Sequence, residues 1–270
     1  MATSPLTQES DLTSFTILSN GKEIPATYKV VSLKTVHELN RIAAAEIVLL
    51  DGDTSTQNFK VADSSTFIPG SEIEIKLGYH SKNDTVFKGL VMKQHIKISH
   101  GEGSQLHIIC KDKALKMTVT KKNRMYSKTT DSGIMQSLIN SSGLSSEVLE
   151  TTILHEEVVQ DATTDWHFLI NRAAIYGLVV HTDNGKVVVA KPKVSDSAVL
   201  EVEYGRDINE CNITLDARFQ YAEVKARSQA FNSQDFIEAI SKEPIVNKQG
   251  NITGKKLSKV LDAKSYLLHL

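Results

Sequence analysis

Apolar and polar residues alternate along about the first 110 residues of the chain, which is the period of a half-buried β-strand. SFTIL is followed by Asn20-Gly21 and then KEIPATYKVV, and Asn-Gly between alternating runs predicts a tight hairpin. AAAEIVLLDGD, SEIEIKLGY, TVFKGLVMKQHIKIS and SQLHIICKD repeat the theme. In SEIEIKLGY, Ile73, Ile75 and Leu77 share one face, and Glu72, Glu74 and Lys76 share the other. Strands of this kind joined by short polar turns are expected to close into a barrel or pack as a sandwich, because an open edge leaves backbone groups unpaired.

The period changes after about residue 115. Thr130-Asp131 suits the start of a helix with Ile134, Met135, Leu138 and Ile139 on one face, and Gly143 suits its end. A second helix is predicted from Thr164 or Asp165, with Trp166, Leu169, Ile170, Ala173 and Ala174 at helical spacing and Gly177 as its stop. LVVHTDNGKVVVAKP follows as two short strands around Asp183-Asn184-Gly185. The middle third therefore reads as a small α+β unit set into a β-rich chain. From about residue 200 the strand signal returns in VLEVEYGRDI, CNITLD and YAEVKARSQAF, and the sequence closes on DAKSYLLHL. That apolar ending implies either that the polypeptide continues or that a partner covers it.

Composition narrows the function classes. With 270 residues, 40% apolar and 23% charged, the chain is an ordinary globular sequence. Its 31 basic and 32 acidic side chains argue against general nucleic-acid affinity, which needs clustered cationic excess. MATSPLTQESDL reads as no secretory signal, so a cytoplasmic start is expected. No run approaches the roughly 18 apolar residues of a spanning helix, so no stable membrane anchor is expected. Cys110 and Cys211 sit far apart in apolar or alternating runs, which suits buried reduced thiols.

Catalytic and cofactor motifs fail on inspection. His155-Glu156-Glu157-Val158-Val159 opens like a zinc-protease helix but has Val where the second histidine must stand. Gly101-Glu102-Gly103 opens like a dinucleotide fingerprint, but Leu106 occupies the third glycine position. The nine histidines show no ligand spacing with a carboxylate partner, although His95 and His107 lie in adjacent strands and are placed to meet across a hairpin. No catalytic residue, cofactor or metal ligand is assigned. The densest charge lies in KDKALKMTVTKKNRMYSK, residues 111 to 128, with seven basic side chains and one acidic. It reads first as a solvated face and second as a contact for an acidic protein partner.

Two segments in this order are similar to the phage late control gene D family, which includes VgrG spike proteins and the baseplate hubs of contractile injection systems. One is KDKALKMTVTKKNRMYSKTTDSGIMQSLINSSGL. The other carries Asp165-Trp166-x-Phe168-Leu169, Arg172-Ala173, Gly177-Leu178, the Gly185-Lys186 turn and Lys191-Pro192. The resemblance implies a β-rich α+β fold with two similar antiparallel β-barrel domains and a small α+β domain between them. Its divisions would be a first hub barrel at 1–115, the α+β domain at 116–203, and a second, incomplete barrel at 204–270.

The same resemblance implies a structural hub and not an enzyme. Its partners would be two more copies of the chain in a homotrimer, the hexameric ring of an inner tube protein, other baseplate proteins, and a spike or spike-tip protein with effectors. It would be assembled in the cytoplasm, sit in a baseplate and leave the cell on firing. Asp165, Trp166, Phe168, Leu169 and Gly177 would be a structural or assembly motif, with Asp165 capping its helix, Trp166 anchoring it, and Phe168 and Ile175 either in the core or facing a neighbour. The alternative is a β-barrel glycan or peptidoglycan hydrolase acting through dispersed carboxylates, recognisable by a deep acidic cleft. A carbohydrate-binding sandwich fits least, since aromatics are only 6% and display of exposed rings is its hallmark.

Overall fold

A computed structural model describes residues 13–55, 57–80, 82–99, 103–193, 196–208, 210–229, 235–241 and 252–269. They belong to two compact units, one covering Ser10–Pro192 and one holding Lys193–Leu270.

The larger unit begins with seven strands: β1 (Thr13–Ser19), β2 (Lys22–Glu23), β3 (Lys29–Val36), β4 (Ala44–Leu50), β5 (Glu72–Tyr79), β6 (Lys82–Ser99) and β7 (Gly103–Lys111). They form one antiparallel sheet in the order β2-β1-β5-β6-β7-β4-β3. The alternation sorts side chains as it should: Ile73 and Ile75 are buried, while Glu72 points out. Ile17 of β1 and Ile47 and Leu49 of β4 share one core with Phe67, Phe87, Leu106 and Ile108. The sheet thus curls until strands near its opposite edges meet. Among the described residues no ladder joins the edge strands β2 and β3, so the sheet is curled and open where a closed barrel was one expectation. Gly89 permits the curl at one crowded point, since a Cβ there would lie 2.3 Å from the Lys111 carbonyl oxygen. The Gly101-Glu102 part of the expected β6–β7 turn lies outside the described residues.

A short 3-10 turn at Lys113–Thr118 leads to β8 (Lys121–Thr130), α1 (Asp131–Ser141), β9 (Ser145–Val148), β10 (Leu154–Thr164), α2 (Asp165–Ile175), β11 (Val179–Asp183) and β12 (Lys186–Ala190). β8 and β10 pair as an antiparallel ribbon, and β12 lies between β11 and β9. The two helices pack on this framework over a second core that includes Met135, Leu138, Leu169, Val180 and Val187. Asp112 ties the two parts of the unit together: its buried carboxylate accepts from the Ala114 N–H at 2.8 Å and the Gly185 N–H at 2.9 Å. Burial pushes that carboxyl above its usual range, against the lowering effect of those two N–H groups.

In the second unit β13 (Glu223–Gln229) pairs antiparallel with β14 (Phe236–Ser241) and parallel with β15 (Ser265–His269), and α3 (Gly254–Ser258) precedes β15. The strands expected in VLEVEYGRDI and CNITLD do not form. The described residues of that stretch hold isolated bridge positions, at Leu200 and between Tyr204 and Ile208, and no strand. An alternating run makes a strand only when a neighbour completes its ladder and covers its apolar face, and Val199 and Ile213 stay 92% and 86% exposed. From Lys193 onward no described hydrophobic side chain is buried.

This contrast predicts the outcome of limited proteolysis. A fragment close to Ser10–Pro192 should survive, with early cuts between about residues 193 and 220, because stretches without buried apolar contacts open at little cost. Equal rates of cleavage in both units would contradict it.

Candidate functional site

The residues singled out from the sequence gather around α2. Its start is built by Thr164, whose hydroxyl accepts from the His167 N–H at 3.2 Å. The capping role expected of Asp165 is therefore corrected. Asp165 is the first helical residue, 1% exposed, and its carboxylate forms an ion pair with Lys122 and accepts from the Gln160 side chain at 3.0 Å. It still benefits from the partial positive charge of the helix N-terminus. Trp166 is buried with Leu169 and Ala173, whereas Ala174, expected on the same face, is exposed. Phe168 is buried too, its ring 6.0 Å from that of Tyr126 and nearly parallel to it. Phe168 is thus a core residue, while Ile175 on the helix flank is 58% exposed. Gly177, at a φ of +63°, closes the helix. The Leu178 N–H there donates to the Ala173 carbonyl and the Gly177 N–H to that of Ala174.

α1 is built the same way. Thr130 caps it through the Gly133 N–H, Asp131 is its first residue, and Gly143 with Leu144 closes it. Thr-Thr-Asp at 129–131 and Gly-Leu at 143–144 recur at one constant offset as Thr-Thr-Asp at 163–165 and Gly-Leu at 177–178. Each copy follows a strand of the β8–β10 ribbon. Reading the helices one at a time hides this internal repeat; aligning the chain with itself at that offset exposes it.

The repeat places a second buried carboxylate that motif reading missed. Asp131 is fully buried and receives the Tyr176 hydroxyl at 2.7 Å, His155 Nε2 at 2.6 Å and the Arg172 guanidinium. Burial alone would raise its pKa, but the hydrogen bonds from Tyr176, His155 and Arg172 outweigh burial and hold it below the usual carboxylate range. Tyr176 is raised by burial and by donating to Asp131. The cluster joins α1, β10 and α2, and its polar groups face one another.

Two histidines therefore do have carboxylate partners, against expectation: His155 on Asp131, and His107, whose Nδ1 lies 2.9 Å from Glu46. His95 and His107 meet across β6 and β7 with rings 6.1 Å apart, as their register suggested. Sequence spacing could not show the carboxylate pairs, because their members are brought together by strand register and helix packing. Cys110 is buried and its thiol is pushed up to about 12 by burial, but Cys211 is exposed and not the core residue expected. Within the basic run, Lys113 pairs with Glu72 at 2.5 Å and Lys122 with Asp165, while Lys121 and Lys128 are exposed. Among the described residues no group of three or more His, Cys, Asp or Glu side chains is arranged to hold a metal ion. No described helix is long and apolar enough to cross a membrane.

A family model described as the Alg8 N-terminal domain matches residues 9–270. The chain belongs to the Alg8 N-terminal domain family. No curated protein matches it. Solved structures share the fold of this chain at low identity. The 43 kDa tail protein of prophage MuSo2 from Shewanella oneidensis aligns at a TM-score of 0.68 and 12% identity, over 96% of this chain and 73% of that one. A tail protein from Neisseria meningitidis MC58 gives 0.62 and 14%, over 96% and 71%. A chain of a PdpA–VgrG complex gives 0.52 and 13%, over 96% of this chain and 50% of its own length. The chain thus has a β-rich α+β fold of the kind seen in tail proteins.

Two substitutions test the site. Phe168→Asp is expected to unfold the larger unit, seen as loss of a cooperative melt, because it buries a charge against Tyr126. Asp131→Asn is expected to cost about 3–5 kcal/mol at pH 7 in denaturant titrations, since it removes one side of a buried charge cluster. Because the folded pKa of Asp131 is lowered, its stabilisation is present above the unfolded carboxylate value of about 4 and is lost as pH falls through the folded one. The gap between wild type and Asp131→Asn should accordingly narrow below about pH 4. A gap below about 1 kcal/mol at pH 7 would contradict a stabilising role for the cluster.

Proposed function

We propose that the chain is a structural component of a contractile injection apparatus or phage tail, a hub protein kin to the late control gene D and VgrG group. The observation that carries this reading is the alignment of nearly the whole chain with tail proteins, through both units. Three further features support it. The buried carboxylates Asp131 and Asp165 are spent on fastening α1 and α2 to the strands beside them. The residues picked out as an assembly motif, Asp165, Trp166, Phe168, Leu169 and Gly177, serve helix packing and helix ends. The second unit displays Val199, Tyr204, Ile213, Phe219 and Phe236 at 68% exposure or more, a surface suited to being covered in an assembly.

In this reading the curled sheet is the first of two barrel-like hub domains, with boundaries near 1–115, 116–203 and 204–270. The second barrel is completed in the assembled state. Three copies would present six similar faces, so that a threefold hub matches the hexameric ring of an inner tube protein. Other baseplate proteins and a spike or tip protein would attach to the same hub. The work is geometric and requires no catalytic residue; assembly would take place in the cytoplasm and export would follow firing.

The test is co-expression with the inner tube protein of the injection system in which the chain is proposed to work, followed by mass photometry and negative-stain microscopy. Three copies of the chain capping a tube ring are expected. A chain that stays monomeric and leaves tube assembly unchanged would overturn the proposal.

A further inference from the structure

Where the loop after β3 meets the 3-10 turn and α2, the larger unit carries a groove of about 520 Å³. That lies within the roughly 300–1,000 Å³ of ligand pockets and gives room for a short peptide segment. Its apolar lining includes Val36, Ile42, Leu115 and Trp166, and two cations, Arg41 and Lys111, line it as well.

The walls are fixed before anything binds. The Asn40 N–H donates to the Val180 carbonyl at 2.6 Å, and the Val180 N–H donates back to the Asn40 side chain at 2.9 Å. The Ala43 N–H donates to Thr182 Oγ1 at 3.1 Å, and the Ala43 carbonyl accepts from the Asp112 N–H at 3.0 Å. The loop carrying Arg41 and Ile42 is therefore stitched to β11 and to the end of β7, so little ordering is left to oppose binding.

The two cations differ. Arg41 is already engaged by Glu38 at 3.1 Å. Lys111 has no ion-pair partner among the described residues. The Trp166 indole N–H likewise finds no acceptor among them.

We propose that this groove binds an extended peptide segment of a partner protein, with an aliphatic side chain seated among Ile42, Leu115 and Trp166 and a neighbouring carboxylate on Lys111. An apolar floor beside an unpaired ammonium selects for that combination. The lone uncommitted cation, with Glu38 close by, is too little positive charge to hold a nucleic-acid backbone. The site lies wholly inside the larger unit and stands whether or not the chain works in a tail.

Trp166 is the only tryptophan of the chain, so its fluorescence reports on this groove alone. The experiment titrates the full chain with acetyl-Asp-Leu-Glu-Leu-amide and, separately, with acetyl-Lys-Leu-Lys-Leu-amide, each to about 5 mM, a range that reaches weak peptide affinities. The acidic peptide should give a saturable change and bind about 3-fold or more tighter than the basic one. Lys111→Glu should abolish or reverse that preference, and Lys111→Gln should reduce it, while both variants keep the wild-type circular dichroism melt. Lys111→Gln carries the test alone if Lys111→Glu fails to fold. No saturable change with the acidic peptide, or equal binding of both peptides by wild type, would overturn the proposal. So would an undiminished preference in a folded variant at position 111.

Discussion

A carboxylate buried at the first position of each helix is the constraint around which the α+β part of the larger unit is organised. Asp131 and Asp165 are each almost wholly shielded from solvent, and an unpaired carboxylate there would be prohibitively costly. Each must therefore be met by donors from other elements. Asp131 takes them from β10 and α2, and Asp165 from β8 and β10. Helix α1 cannot move without unpairing a group on α2, and neither helix can leave the ribbon. Hydrophobic packing supplies most of the driving force, but the carboxylates decide which packing is permitted.

From that ribbon the order extends in one direction and stops in the other. Toward the N-terminus, Asp112 carries the fixed geometry into the curled sheet by bonding both the 3-10 turn and the β11–β12 turn. The sheet then curls over its own core without joining its edge strands. After Lys193 three strands pair, yet no described apolar side chain among them is buried. One sequence thus contains a unit with two buried apolar cores and another whose described apolar side chains are half-buried or exposed. The second kind of surface is expected where folding is finished by a neighbour.

Local signals in the sequence reached far into the first unit. Strand alternation at Ile73 and Ile75, the Asn20-Gly21 and Asn184-Gly185 turns, and both helix ends at Gly143 and Gly177 follow from nearest-neighbour physics and were legible. The partners of Asp131 were not, because His155, Arg172 and Tyr176 reach it only after β10 and α2 have packed. Asp165 fails as a cap for a related reason: Thr164 and Asp165 both suit a helix start, but in the fold Thr164 takes the His167 N–H while Lys122 and Gln160 engage Asp165. The described residues of the run from Val199 to Leu215 have strand chemistry but form only isolated bridges, so their pattern describes a capacity that these neighbours leave unused.

The proposal that this chain is a part joined to other parts rests on a fold shared with tail proteins, on buried carboxylates that lock the larger unit's helices to its strands, and on a second unit whose described apolar side chains are not buried. Electron cryo-microscopy of the assembled particle containing the full natural protein tests this most directly. The account predicts density for this chain as a threefold ring at the base of the tube, with the strands from Lys193 onward completed by neighbouring density and Val199, Ile213 and Phe236 covered. A particle in which the chain is absent from the tube base, or in which those side chains remain open to solvent, would contradict it.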